Sequence, residues 1–95
     1  MSWNWLRRFW GGTATTPRRV FMYTRQGCHL CDDGWALLEQ ARARHGFALE
    51  KIDVDTDPAL AARYGTEVPV VTIDGKERFR GQVNAVLLAR VFREP

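Results

Sequence analysis

Residues 20–31 read Val20-Phe21-Met22-Tyr23-Thr24-Arg25-Gln26-Gly27-Cys28-His29-Leu30-Cys31. The first five are mostly β-branched or aromatic and lie between Pro17 and Gly27, the pattern of a buried strand. A helical spacing takes over at about His29 and runs to Arg44, with Leu30, Gly34, Leu37, Leu38 and Ala41 expected on the core side and Gly46 as the stop. Both cysteines of the chain therefore fall where a strand hands over to a helix N-terminus. Unpaired backbone N–H groups and the positive end of the helix dipole favour a thiolate there, which lowers the Cys28 pKa and makes Cys28 the attacking sulfur. Cys31, one turn further along, is placed to attack a mixed disulfide on Cys28 and release the product. A purely structural disulfide is a weaker reading, because a bridge across so short a loop restrains the unfolded chain little and nothing marks the chain as secreted. A zinc knuckle fails on ligand count: His45 is distant, and His29 cannot complete a set of four alone. Dithiol redox chemistry, without a metal or a tightly bound cofactor, is the expectation.

Outward from this segment the order of elements is clear. Leu49 to Val54 reads as a second strand, and Asp57-Pro58 provides an N-cap with Pro at the first helical position of a short helix, Ala59 to Tyr64. Val70 to Ile73 and Lys76 to Arg80 form a hairpin around Asp74-Gly75, a strong type I′ signal. Asn84 is placed to cap a last helix, Ala85 to Phe92, with Val86, Leu87 and Val91 expected to face inward. The sum is β-α-β-α-β-β-α. Right-handed crossovers and an antiparallel hairpin edge then give an α/β fold with a mixed four-stranded sheet and helices on both faces.

Ninety-five residues make one small domain, and its net charge of +3 suggests a polyanionic partner until the charges are placed. Arg7, Arg8, Arg18 and Arg19 lie in the first nineteen residues with no acid among them, and ten basic and eleven acidic residues follow from Val20 onward. Trp3, Trp5 and Trp10, three of the four tryptophans, share that segment, which passes into Gly11-Gly12-Thr13-Ala14-Thr15-Thr16-Pro17. The chain thus divides into a basic aromatic arm and linker, 1–19, and a near-neutral body, 20–95, and nucleic-acid binding is not expected. As a helix, the arm sets Trp3, Trp5, Leu6, Phe9 and Trp10 opposite Asn4, Arg7 and Arg8. Such a face suits an interfacial membrane anchor; the plainer readings are a terminal helix docked on the body or on a partner, or a frayed tail. No apolar run follows Arg7-Arg8 to make a signal peptide, so a cytoplasmic, or membrane-peripheral, location is expected.

The strand Val20 to Thr24, the motif Gly27-Cys28-His29-Leu30-Cys31, the pair Val68-Pro69, Asp74-Gly75, and Gly81 before the last helix resemble the thioredoxin-fold superfamily and, within it, the small glutaredoxin-like proteins. The resemblance covers nearly everything from Val20 to Phe92. It implies a thiol-disulfide oxidoreductase acting on a protein or small-molecule thiol or disulfide. It also implies that Pro69 is a cis-proline facing the sulfurs, and that the Val68 backbone pairs with an extended substrate. Arg25, three residues before Cys28, would contact a carboxylate of glutathione as co-substrate. The chain departs from the family at His29-Leu30 (for Pro-Tyr), Glu67 (for Thr), and Arg80-Gly81 and Asn84 (for Gly-Gly and Asp), departures that bear on the glutathione site and leave the dithiol untouched. His29 either donates a hydrogen bond to the Cys28 thiolate or faces solvent, and Trp35 either flanks the site or packs against the sheet. Asp32 and Asp33 complement the helix dipole. Two other classes of function stay open at this level: an iron-sulfur or metal module using Cys28 with an exogenous thiol, and a non-enzymatic adaptor acting through the arm.

Overall fold

The computed structural model describes residues 18–93. Its elements are β1 (Arg19–Thr24), α1 (His29–His45), β2 (Ala48–Asp53), a single 3-10 turn (Val54–Thr56), α2 (Pro58–Tyr64), β3 (Val70–Ile73), β4 (Lys76–Arg80) and α3 (Ala85–Arg93). The expected order is observed, with eight of the fourteen strand and helix ends as expected and six displaced by one residue. The 3-10 turn is the element not anticipated; Asp53 builds it, its carboxylate accepting from the Asp55 N–H (2.9 Å) and its carbonyl from the Thr56 hydroxyl (2.7 Å).

The four strands lie in the order β2-β1-β3-β4, with β1 parallel to β2 and the other pairs antiparallel. Alternation along β1 sends Val20 and Met22 into the larger core and Tyr23 to the opposite face. Cys31 and Leu38 of α1 and Leu88 and Val91 of α3 close the larger core over Val71, Ile73 and Phe79. Val54, Tyr64 and Val70 form the smaller one, where the Tyr23 and Tyr64 rings stack at 4.5 Å. Helices α1 and α3 therefore share one face, and α2 lies on the other.

Two inward faces differ from expectation. Cys31, Gly34 and Leu38 take the inner stripe of α1, whereas Leu37 and Ala41 are half-buried and Leu30 is 44% exposed. In α3 the buried residues are Leu88 and Val91, and Val86 and Leu87 face outward. The Asn84 cap sets that phase: its carboxamide oxygen accepts from the Leu87 N–H (3.0 Å) and its carbonyl from the Leu88 N–H (2.9 Å). At the crossing of α1 with the segment before α3, a Cβ on Gly34 would lie 2.8 Å from Val83 Cγ2, so only glycine admits this approach.

The hairpin turns through Asp74 (φ 53°) and Gly75 (φ 84°), the left-handed pair that a type I′ turn requires. The Asp74 carboxylate also accepts from the Arg19 N–H (2.9 Å) and from Arg18 Nε (3.0 Å), contacts that hold its pKa below the ordinary carboxylate value. Arg18 donates to the Val91 carbonyl as well (3.3 Å), so Arg18 and Arg19 are anchored parts of the body. The arm residues Trp3, Trp5, Leu6, Arg7, Arg8, Phe9 and Trp10 and the linker 11–17 lie outside the described residues. No described helix is long and apolar enough to cross a membrane.

Candidate active site

Strand β1 ends at Thr24, and Gly27, at φ 79°, reverses the chain so that Cys28 caps α1. Cys28 is in an extended conformation, and its Sγ accepts from the Cys31 N–H at 3.1 Å. Its carbonyl accepts from the Asp32 N–H at 3.2 Å, which closes the first turn. The two cysteines are joined by a disulfide, with Cα atoms 5.2 Å apart. Their environments differ. Cys28 is half-buried at the rim, and Cys31 is 1% exposed inside the larger core. His29 and Asp32 are exposed beside them.

The Val68–Pro69 peptide is cis. Since Tyr23 pairs with Val70 in the antiparallel β1–β3 ladder, Val68 and Pro69 lie at the end of β1 from which Cys28 departs. Val68 and Cys28 border the same core cluster. Among the described residues, the one backbone bond tying this segment to β4 is the Gly81 N–H donating to the Pro69 carbonyl (2.9 Å), and no such bond engages Val68.

Arg25 is at the same end, and its guanidinium is occupied. Nε and Nη2 donate to the two Asp55 oxygens at 3.0 and 2.9 Å, and Nη1 donates to the Gly65 carbonyl at 3.0 Å. The hydrogen bonds from Arg25 hold the Asp55 carboxyl below its ordinary pKa and raise that of Arg25 in turn. Glu67, just before Val68, pairs with Arg80 (3.3 Å), which also binds both oxygens of Glu77 at 2.8 Å. Asp55 and the Glu67–Arg80 pair had no signal in the sequence, because thirty and thirteen residues separate the partners. An open cleft of about 390 Å³ runs beside Gly27, lined by Arg25, Asp32, Lys51 and Asp53 among others. Trp35 is half-buried against the core cluster that Cys28 also borders, under Lys51, whose Nζ is 4.3 Å from the ring centroid. A smaller hollow of about 100 Å³ between α1 and α3 involves neither cysteine.

Residues 19–93 match the family model described as Glutaredoxin-like domain (DUF836). The chain belongs to that family. The uncharacterized protein Rv0508 of Mycobacterium tuberculosis is 34% identical over 71 residues, 70% of this chain and 73% of the relative. Among solved structures, protein Ne2328 of Nitrosomonas europaea aligns with a TM-score of 0.68 and 30% identity over 79% of this chain and 91% of its own. A mutant thioredoxin of Halobacterium salinarum aligns with a TM-score of 0.62 and 25% identity, covering 80% of this chain and 72% of its own. This member of the glutaredoxin-like family thus has the thioredoxin-like fold, with its paired cysteines at the strand-to-helix junction.

Proposed function

We propose that this glutaredoxin-like protein is a thiol-disulfide oxidoreductase with Cys28 as nucleophile and Cys31 as resolving thiol. The observation that carries the proposal is the bonded pair itself, with Cys28 at the rim on a helix N-cap and Cys31 buried behind it. In the reduced protein the N-terminal N–H groups of α1 favour the Cys28 thiolate. That thiolate attacks a substrate disulfide, forming a Cys28–substrate bond and expelling one substrate thiolate. The Cys31 thiol, losing its proton, attacks the Cys28 sulfur and expels the second. The substrate gains two electrons and two protons, and the protein is left with the Cys28–Cys31 disulfide, which two external thiols, or one dithiol, return to the dithiol while being oxidised to a disulfide themselves. The Val68 backbone next to Pro69 docks the substrate chain, and His29, exposed beside Cys28, faces the incoming sulfur. Glutathione as co-substrate would have to place its carboxylate on Arg25 in exchange for Asp55. A reducing compartment such as the cytoplasm suits the regenerating step.

Reduction of hydroxyethyl disulfide by the purified protein, with dithiothreitol as reductant, tests this reading. Cys28→Ser is expected to abolish the reaction, and Cys31→Ser to leave a covalent adduct visible by mass spectrometry. Undiminished activity in Cys28→Ser would refute it.

A further inference from the structure

The net charge of +3 conceals a separation of charge along the molecule. β1 starts, and α1 and α3 end, at one pole, where His45 and Phe47 stack on Phe92 at 5.4 and 4.4 Å and Arg18 reaches the Val91 carbonyl. Arg42 and Arg44 from the last turn of α1 and Arg90 and Arg93 from the end of α3 are exposed there, beside Arg18 and Arg19. Lys76 adds a further cation from the hairpin. Among the described residues the acids near this pole include Asp74, already bound to Arg18, Glu50, which shares a shallow hollow with Arg19, and Glu77, next to Lys76 and bound to Arg80. Among the described residues no ion pair engages Arg42, Arg44, Arg90 or Arg93. The dithiol pole has the opposite balance: Asp32, Asp33, Asp53, Asp55, Asp57 and Glu67 lie in the segments at that end, against Arg25, Lys51, Arg63 and Arg80.

The two poles do not cancel in solution. Seventeen residues of α1 separate them by roughly 25 Å, against a screening length of about 8 Å at physiological ionic strength. The arm joins the body at the basic pole, through Arg18. It adds Arg7 and Arg8 and the apolar set Trp3, Trp5, Leu6, Phe9 and Trp10, on a seven-residue linker that spans about 23 Å when extended.

We propose that the basic pole, together with the arm, docks on an anionic lipid surface and holds the dithiol pole toward solution. A polyanion such as nucleic acid would satisfy the arginines alone. A lipid headgroup layer satisfies the arginines and also takes Trp, Phe and Leu into its acyl boundary. The acidic dithiol pole is repelled by the same surface, which fixes the orientation.

The test is cosedimentation of the full chain with vesicles of phosphatidylcholine alone or of phosphatidylcholine with an equal share of phosphatidylglycerol. Binding is expected to the anionic vesicles only, and to fall steeply with added salt. Each basic residue near such a surface strengthens binding about fivefold, so the exposed-residue variant Arg42→Glu/Arg44→Glu/Arg90→Glu is expected to bind at least about a hundredfold more weakly. Trp5→Ser/Phe9→Ser should also weaken it, while both variants keep the native unfolding temperature within a few degrees. Native-like binding by either variant, equal binding to neutral vesicles, or retention on duplex DNA at salt that releases the vesicles would each overturn the proposal.

Discussion

Arg25 and Asp55 show how one residue sets what a site admits. The basic side chain nearest the dithiol in sequence is matched, oxygen for nitrogen, by a carboxylate of its own chain. Any substrate carboxylate must compete with Asp55 for that guanidinium. Since Arg25 holds the Asp55 carboxyl below its ordinary pKa, the pair stays charged throughout the neutral range and down into the acid one. Asp55→Asn is therefore expected to raise the rate with oxidised glutathione, an anionic disulfide, a few-fold relative to neutral hydroxyethyl disulfide. The ratio of the two rates is the measurement, and an unchanged ratio would place Arg25 outside the substrate's reach. The place of Cys28 and Cys31 was legible in the sequence because strand, turn and cap signals are local, whereas Arg25 and Pro69 were singled out only by the resemblance to glutaredoxin-like proteins. Asp55 was not legible, because nothing near residue 25 announces a partner thirty positions away.

Among the elements, the β3–β4 hairpin and the approach of α1 to Val83 carry the sharpest expectations. Asp74 serves the turn through its left-handed backbone and the neighbouring strand through its carboxylate. Asn tolerates the same backbone, so Asp74→Asn removes the charge and spares the turn. Its folded pKa is depressed, so its stabilisation is complete above the unfolded value of about 3.9 and disappears as pH falls through the folded value. Screened at the surface, it contributes about 0.5–1 kcal/mol. Chemical denaturation should show the variant weaker by that amount at pH 7 and equal to the native chain near the bottom of the acid limb. Gly34→Ala offers about 1 kcal/mol of helix propensity against an overpacking cost of about 1–3 kcal/mol. The cost prevails because Val83 is stiff and buried, giving a net loss of about 1 kcal/mol. Combining Gly34→Ala with Val83→Ala should destabilise by less than the two single losses added, since the second change removes the clash. The existence of these elements was readable from periodicity. The inner stripes were not fully so: Leu30, Val86 and Leu87 are as apolar as the residues that displaced them, and cap geometry and neighbouring elements set the phase.

For the whole molecule, the unequal cores on the two faces of the sheet decide where stability resides. Leu38, fully buried between α1 and the sheet, is expected to cost about 2–5 kcal/mol on truncation to Ala, a large share of the roughly 5–15 kcal/mol that holds such a domain together. Guanidinium unfolding would measure it, and a loss under about 1 kcal/mol would mean that this core collapses around the gap. The same architecture gives the charge its pattern. The residues from Val20 onward are close to neutral in sum, yet folding carries the arginines at the ends of α1 and α3 to one pole and most aspartates to the other. By itself the sequence determined the order of elements, the dithiol and its place at a helix N-terminus, because each depends on residues within a few positions of one another. Only the tertiary structure decided that Arg25 is filled by Asp55, that Arg18 and Arg19 belong to the body, and that a neutral composition is electrically polar. Those outcomes depend on which distant segments the sheet brings side by side, and charge and hydrogen bonding act through space rather than along the chain.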